Sequence, residues 1–328
     1  MKGICIVLAA AALAAMSSGA AAQAAGSSTA AAYPVKPVRM IISFAPGGPN
    51  DIVGRAVARA IEESLGQPVV IDNRGGASGT LGVGIAAKAA PDGYTVVLGS
   101  LGTFGISPNI YSKLAYQPMK DFEHVSMVAI VGNLLVVHPT VPAKTLKQLI
   151  ALAKNSPGKL NYGAVGGTSH LMAEMMNSMA QIETVHVPYK GASPALVALI
   201  SGEVDYVFNP FPGLWPHVQA GKLRALAMTT AKRSPFAPQL PTMSEAGLPG
   251  YDASTWFSIA APAGTPHEIV VRLNQAVVKG LKGGALPDIL AKMYAEPIIA
   301  TPEETARFVG SEIPKWGKAV KAAGMKPQ

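Results

Sequence analysis

Hydrophobic and polar positions follow two alternating spacings along most of this chain. Short apolar runs typical of strands are followed by segments that carry an apolar stripe at helical spacing. The first pair is Val38–Phe44, which predicts a strand, and Asp51–Leu65, which predicts a helix. Further strands are predicted at 69–72, 94–98, 125–131, 134–138, 160–162, 184–187, 204–208, 224–229 and 254–261, and helices at 81–90, 146–154, 171–180, 192–200, 266–281, 285–293 and 302–323. This alternation predicts an α/β fold with mostly parallel sheets covered on both faces.

The order of the predicted elements indicates two lobes. The unit of strand, Gly/Pro-rich turn and helix starts again near Asn161, after Pro139 and Pro142. A Pro- and Gly-rich stretch at 231–250 is typical of a connection that crosses between lobes, and a strand and three helices follow it. The predicted bounds are 33–131 plus 231–328 for lobe 1 and 132–230 for lobe 2.

The N-terminal segment has the pattern of a secretory signal peptide. Lys2 gives a positive start, and an unbroken apolar run from Ile4 to Met16 follows, which is too short to span a membrane. Small residues that match an A-x-A cleavage pattern come next. We therefore predict that residues 1–24 are removed on export and that the mature protein works in a bacterial periplasm. Cys5, the one cysteine of the chain, lies in this segment, so no disulfide is expected.

Composition and charge narrow the class of partner. The chain has 328 residues, of which 49% are hydrophobic and 14% are charged, as in a globular protein of about two domains. The formal net charge is +8, but the Lys and Arg residues are scattered and form no basic block. This distribution indicates general surface charge, which can attract an anionic solute, and no nucleic-acid footprint. We expect a monomer.

Glycine-rich loops follow five of the predicted strands. Loops at the carboxyl ends of parallel strands meet helix N-termini, where bare amide groups form cradles for anions. One such loop alone is more often a capped turn, and Ser78, Thr80 and Thr168 are also good N-caps. Five loops of this kind in two lobes favour a ligand site instead. The loops lie at 45–48, 73–80, 99–103, 163–170 and 188–193.

Cofactor and catalytic motifs do not match. The chain has no Gly-Lys-Ser/Thr phosphate loop, and the segment Gly82–Ala87, which imitates a dinucleotide fingerprint, lies well past its predicted strand. The sequence around Ser100 fails the nucleophile elbow by one position. No two histidines fall at helical spacing, which excludes a zinc pair on one helix but not zinc ligands from separate loops. We expect no cofactor, no metal and no catalytic residue.

Two acidic residues and one aromatic residue stand near the predicted loops. Asp51 precedes the first helix and is predicted to cap it, with Arg55 as an ion-pair partner. Asp205 stands at the head of a strand, where a turn residue is favoured over a contact to a ligand ammonium group or to the hinge. Phe104 is a candidate for an apolar wall of the pocket.

A set of motifs in this order and spacing is similar to one protein family. The chain resembles the periplasmic solute-binding receptors of tripartite tricarboxylate transporters, the Bug or TctC family, from about Pro34 to about Lys326. The motifs are Pro46-Gly47-Gly48 with Asp51 and Arg55, Asn73-Arg74 with Gly76 and Gly79, Asp92-Gly93-Tyr94-Thr95, Val187 to Gly191, Gly221 to Ala227, and Pro241-Thr242 with Glu245-Ala246-Gly247.

The resemblance implies a fold and a site. It implies a two-lobed periplasmic binding protein, a Venus flytrap of the type II kind, with crossing hinge strands and no cofactor. It also implies that backbone groups and hydroxyls of the first two loops hold one carboxylate of a small solute between the lobes. By position, the ligand-binding residues would be Ala45, Gly47, Gly48, Ser78, Thr80 and Thr103 from lobe 1, and Gly166, Thr168, Ser169 and Asp205 from lobe 2.

The resulting prediction is a periplasmic receptor, not an enzyme, whose lobes close on a carboxylate for uptake or sensing. The closed form would dock on membrane transporter subunits or on a sensor ectodomain. One alternative is a secreted α/β hydrolase or lyase acting on a small organic acid. Another is a sensory or interaction protein with an altered pocket. The sequence leaves open whether the solute is a di- or tricarboxylate, an amino acid or an aromatic acid.

Overall fold

The structure, a computed structural model, describes residues 33–165 and 167–325. The predicted signal peptide at 1–24 lies outside them. The strands are β1 (Val38–Ile42), β2 (Val69–Asn73), β3 (Thr95–Ser100), β4 (Phe122–Val131), β5 (Asn133–Val137), β6 (Asn161–Val165), β7 (Val185–Tyr189), β8 (Tyr206–Pro210), β9 (Arg224–Met228), β10 (Thr255–Pro262) and β11 (Ala295–Pro297). The helices are α1 (Pro49–Leu65), α2 (Thr80–Ala87), α3 (Ser107–Ile110), α4 (Leu146–Asn155), α5 (Thr168–Ala180), α6 (Ala192–Ser201), α7 (Phe211–Gln219), α8 (His267–Lys282), α9 (Leu286–Lys292) and α10 (Pro302–Ala322).

Two sheets form the centres of the two lobes. The sheet of lobe 1 has six strands in the order β11-β4-β10-β3-β1-β2, and the sheet of lobe 2 has five in the order β7-β6-β8-β5-β9. The chain passes from the first sheet to the second through Gly132, between β4 and β5. It returns through the segment 229–254, between β9 and β10. Both crossings therefore join the same two sheets.

The sheets are mixed, which corrects the expectation of mostly parallel strands. Parallel pairing occurs between β1 and β2, β1 and β3, β6 and β7, and β6 and β8. The strands of the crossings pair antiparallel, β4 with β10 in lobe 1 and β5 with β9 in lobe 2. The reason is geometric: a strand that leaves a sheet and a strand that returns to it run in opposite directions where they lie side by side.

The sheet of lobe 1 is covered on both faces, as the buried apolar runs predict. Met40 and Ile42 of β1 pack into a cluster with residues of α1 and α8, whereas Ile41 packs into the cluster that contains Trp316 of α10. Neighbouring residues of a strand point to opposite faces, so β1 contributes to both layers. This packing fixes the carboxyl end of β1 at the edge where the first Gly-rich loop begins.

One hydrophobic cluster continues from lobe 1 into lobe 2. It contains Trp256 and Trp316 of lobe 1 and Met172 of α5. The hydroxyl of Tyr251 donates a hydrogen bond to the carbonyl of Met172 at 2.9 Å, and α10 packs against α5. Glu312 of α10 is buried and accepts hydrogen bonds from the indole N–H groups of Trp256 and Trp316, at 2.9 and 3.0 Å. The lobes are thus connected by packing as well as by the crossings.

Among the described residues, none of the helices is both long and apolar enough to cross a membrane.

Candidate functional site

A cavity of about 260 Å³ lies between the lobes, at the carboxyl ends of strands from both sheets. Larger hollows of about 440 and 480 Å³, beside Tyr111 and Arg55, are lined by residues of lobe 1 alone. Another of about 360 Å³ lies between α5 and α10, away from the strand ends. Ligands of open α/β sheets bind outside the carboxyl ends of strands, which selects the interlobe cavity. Its lining residues are Phe44, Pro49, Asn50, Ser100, Leu101, Gly102, Val131, Thr255, Phe257 and Met293 from lobe 1, and Thr168, Pro210 and Pro212 from lobe 2.

The first Gly-rich loop, between β1 and α1, is held by Asp51. The carboxylate of Asp51 accepts the N–H of Gly47 at 2.9 Å, the side-chain amide of Asn73 at 2.9 Å and the guanidinium of Arg55 at 2.9 Å. Gly47 has φ +86°, a conformation that favours glycine. The predicted ion pair with Arg55 is confirmed, although Asp51 lies in the first turn of α1 and not ahead of it.

The electrostatics of this loop follow from the same contacts. The hydrogen bond from Arg55, followed by those from Gly47 and Asn73, lowers the pKa of Asp51 to about 2, against the opposing effect of burial. Asp51 is therefore ionised at neutral pH and supports the loop. Because the N–H of Gly47 is already bonded to Asp51, Gly47 is a weaker candidate for a ligand contact than the sequence suggested.

The structure brings Pro49 and Asn50, the first two residues of α1, to the cavity, next to the predicted residue Gly48. Ala45 and Gly47 are exposed, and Gly48 is the N-cap of α1. The side-chain oxygen Oδ1 of Asn50 is buried and has no hydrogen-bond partner among the described residues. A buried acceptor of this kind needs a donor from a ligand or from water.

The second loop lies beside the wall of the cavity instead of in it. Ser78 is exposed with φ +56°, and the hydroxyl of Thr80 donates to the carbonyl of Ala77 at 2.8 Å. A Cβ at Gly79 would lie 2.8 Å from Cζ of Phe44, so the ring of Phe44 covers this loop. Phe44, and neither Ser78 nor Thr80, lines the cavity.

The third loop reaches the cavity through residues other than the predicted ones. Thr103 is fully buried, and its hydroxyl oxygen accepts the N–H of Ser100 at 3.1 Å, so it does not face the cavity. Ser100 and Gly102 line the cavity in its place. Phe104 is also fully buried and packs against Phe122, with ring centroids 5.2 Å apart. The expectation that Phe104 forms a pocket wall is therefore wrong, because its ring points into the core.

In lobe 2, Thr168 is the predicted residue that lines the cavity. It is the first residue of α5, and Ser169 follows it, half-buried. Gly166 lies outside the described residues. The side chain of Thr168 thus joins the lobe 1 residues around one space.

Asp205 is at the wrong end of its strand for a ligand contact. Its carboxylate accepts the N–H of Asn161 at 2.7 Å, and its own N–H donates to the side chain of Asn161 at 3.1 Å. β6 and β8 are parallel, with Tyr162 opposite Tyr206, so Asp205 lies at their amino ends. Thr168 follows the carboxyl end of β6, at the other edge of the sheet. The interpretation of Asp205 as a turn residue is the one that the contacts support.

Sequence reasoning missed the carboxyl end of β8. The prediction ended this strand at Phe208, whereas it continues to Pro210 and leads directly into α7, and Pro210 and Pro212 line the cavity. The same rule that selected the other loops, a strand end followed by a helix start, would have found this one. Thr255 and Phe257 of the returning strand carry no local signal, since only the crossing of the lobes places them at the cavity.

Three helices of both lobes begin at the cavity. These are α1 at Pro49, α5 at Thr168 and α7 at Phe211, and the π-helical segment Leu101–Ile106 begins there as well. A helix N-terminus carries about half a positive charge and amide groups without intrahelical partners. None of the lining residues is acidic or basic. The arrangement can hold a small anion through amides and hydroxyls, as a binding cleft between lobes does.

Two lobes that face each other across such a cavity define a solute-binding protein. The chain belongs to the tripartite tricarboxylate transporter family receptors, TctC, whose family model matches residues 53–325. It is 38% identical over 300 residues to protein BugT of Bordetella pertussis (strain Tohama I), which covers 90% of this chain and 92% of BugT. It is 35% identical over 292 residues to a UPF0065 protein of Pseudomonas sp. (strain P51), covering 88% and 87% of the two chains.

Solved structures agree with this assignment. The structure of R. palustris Rpa4515 with adipate has a TM-score of 0.74 and 38% identity, and covers 90% of this chain and 100% of that chain. The structure of MatC from Rhodopseudomonas palustris with bound malate has a TM-score of 0.70 and 34% identity, with 88% and 100% covered. The predicted family and the predicted two-lobed fold are thereby confirmed.

Proposed function

We propose that this receptor binds one small carboxylate-containing solute in the interlobe cavity. The observation that carries the proposal is the convergence of helix N-termini from both lobes on a cavity with no acidic lining residue. Anions bind well at such termini. Relatives solved with adipate and with malate support the same class of ligand.

The lobes supply complementary parts of the proposed site. Lobe 1 contributes the start of α1 at Asn50 and the loop at Ser100 and Gly102, and lobe 2 contributes Thr168 at the start of α5. When the lobes close, donors from both sides bond the carboxylate at once. Closure also excludes water, which strengthens each electrostatic contact.

The family supports a proposal for the setting of this function. We place the closing halves at 33–131 plus 231–328 and at 132–230. We further propose that residues 1–24 are removed on export, that the receptor acts in the periplasm as a monomer, and that the closed form delivers its solute to membrane transporter subunits. N-terminal sequencing of the protein recovered from the periplasmic fraction checks whether residues 1–24 are removed.

The proposal is tested by a pair of threonine variants. Thr168→Val removes a hydroxyl at the cavity, and Thr80→Val removes one whose bond is to Ala77. A panel of mono-, di- and tricarboxylates, amino acids and aromatic acids first identifies a bound acid by thermal shift. We expect Thr168→Val to weaken its binding about tenfold, roughly 1.4 kcal/mol, and Thr80→Val to change it by less than about twofold.

Unchanged binding in Thr168→Val would contradict the placement of the site in the interlobe cavity, and three other outcomes also count against the proposal. If no acid of the panel binds, the carboxylate function is wrong. Equal losses in both variants would contradict the placement of the site in the interlobe cavity. Consumption of a bound acid by the purified protein would support an enzyme instead of a receptor.

A further inference from the structure

The N-terminus of α7 faces the cavity but offers it few hydrogen-bond donors. Its N-cap residue, Pro210, and the second residue of the helix, Pro212, have no N–H group. The N–H of Phe211 between them donates to the carbonyl of Gly132 at 3.1 Å. After Phe211, Gly213 is thus the first residue of this end that has an N–H group at all. Of the two helices of lobe 2 that begin at the cavity, α7 therefore offers fewer donors for an anion than α5.

The N-terminus of α1 is also partly occupied. Its first residue, Pro49, lacks an N–H, and the carboxylate of Asp51 lies in its first turn. Asp51 is ionised and takes the N–H of Gly47, as described above. A negative charge of the protein itself therefore already uses part of the positive end of α1.

The remaining surface of the cavity is largely apolar. Besides the polar side chains of Asn50, Ser100 and Thr255, it is formed by those of Phe44, Leu101, Val131, Phe257 and Met293 and by the prolines. None of the thirteen lining residues carries a charge. A carboxylate moved from water into such surroundings without a partner pays a large desolvation cost.

We propose that this receptor selects solutes with one carboxylate and an apolar remainder over dicarboxylates of the same size. This inference rests on the proposed function. Thr168 and the start of α5 face the carboxylate, and Pro210 and Pro212 face the apolar remainder. The two prolines are the specificity-determining residues, because they remove the donors that would hold a second carboxylate at α7.

Isothermal titration with matched pairs of acids tests the selectivity. Hexanoate and adipate share a carbon chain and differ in one terminal carboxylate, and benzoate and terephthalate differ in the same way on a ring. We expect the monocarboxylate to bind at least about tenfold more tightly in each pair that binds. A dicarboxylate that binds as tightly as its partner overturns the inference while the carboxylate function stands. Absence of binding by all four acids, and by the wider panel, overturns both.

A pair of proline variants tests the assigned residues. Pro212→Ala restores an N–H at the start of α7, and we expect it to reduce the preference for hexanoate over adipate at least about threefold. Pro216→Ala makes the same change inside the same helix, at an exposed position away from the cavity, and serves as the control. An unchanged preference in Pro212→Ala, or an equal change in both variants, contradicts the role of Pro212. Circular dichroism confirms that each variant is folded.

Discussion

A single carboxylate organises the first loop of the site. Asp51 is almost fully buried at 4% exposure, and it bonds Gly47 ahead of it, Arg55 one turn on and Asn73 at the end of β2. These three bonds tie the loop, the helix and the neighbouring strand together. The shape of the loop therefore depends on the charge of Asp51 as well as on its glycines and prolines.

This arrangement predicts a pH dependence of stability. The pKa of Asp51 is lowered to about 2 from its ordinary value of 3.8, chiefly by the hydrogen bond from Arg55. The unfolded chain therefore takes up the proton first as the pH falls, and the stabilisation present above about pH 4 is lost between about pH 4 and 2. We expect Asp51→Asn to lower the free energy of unfolding by about 1–2 kcal/mol at pH 7, with the difference shrinking towards pH 2.

Urea unfolding at a series of pH values measures this difference. Asp288→Asn is the matched control, because Asp288 also lies in the first turn of a helix and follows a proline of that turn, but it is exposed. The control should change stability by less than about 0.5 kcal/mol. A difference between wild type and Asp51→Asn that stays constant from pH 7 to pH 2 would contradict the role of the ionised carboxylate.

At the residue scale, the sequence predicts local pairs better than the direction of side chains. The ion pair of Asp51 and Arg55 follows from helical spacing and was predicted. Thr103 and Phe104 lie next to residues that line the cavity, but the helical turn rotates both into the core. Such rotations depend on packing against Phe122 and Tyr116, which are distant in sequence, so local pattern alone does not give them.

At the scale of elements, most strands and helices of both lobes follow from periodicity, whereas the short elements α3, α7 and β11 were not predicted. The sequence predicted the starts of β1, β2 and α10 within a residue or two, because each has a strong apolar pattern. The end of β8 was missed because its last residues, Asn209 and Pro210, are not typical of a strand. This omission affected the candidate site, because the end of β8 leads into α7, whose first residues are proposed to determine ligand selectivity.

The close packing of helix α2 at its two glycines leads to a prediction about stability. A Cβ at Gly82 would lie 2.6 Å from the carbonyl oxygen of Arg74 and 3.0 Å from Cα of Ser43, both backbone atoms. A Cβ at Gly84, in the same helix, would lie 3.1 Å from Cβ of Ala115. Alanine raises helix propensity equally at both positions. We expect Gly82→Ala to destabilise the protein by about 1–3 kcal/mol and Gly84→Ala to be close to neutral.

Urea unfolding of the two variants at neutral pH checks this prediction. The comparison is internal, because the helix, the residue type and the substitution are the same. Equal stability of the two variants would show that α2 can move away from the loop between β2 and α2. A loss in Gly84→Ala larger than in Gly82→Ala would show that contact with Ala115, and not with Arg74, limits the packing.

At the scale of the whole molecule, the sequence indicates two lobes but not the core they share. A restart of the strand–turn–helix unit and a long Pro-rich connection are local signals of lobes. The contact of α10 with α5, and the bond of Tyr251 to Met172, join residues far apart in the chain. No local pattern reports such contacts. They show that the two lobes are packed together on one side of the molecule as well as linked by the two crossings.

The shared core predicts that the two lobes unfold together. Trp256 and Trp316 lie in the cluster that spans both lobes, whereas Trp215 belongs to α7 in lobe 2. Trp215→Phe therefore leaves a protein whose tryptophan fluorescence reports the shared core, while far-UV circular dichroism reports both lobes. We expect the two signals to give one urea midpoint, because loss of either lobe exposes the cluster. Midpoints that differ, or two steps in the dichroism, would show instead that the crossings alone connect two independently stable lobes.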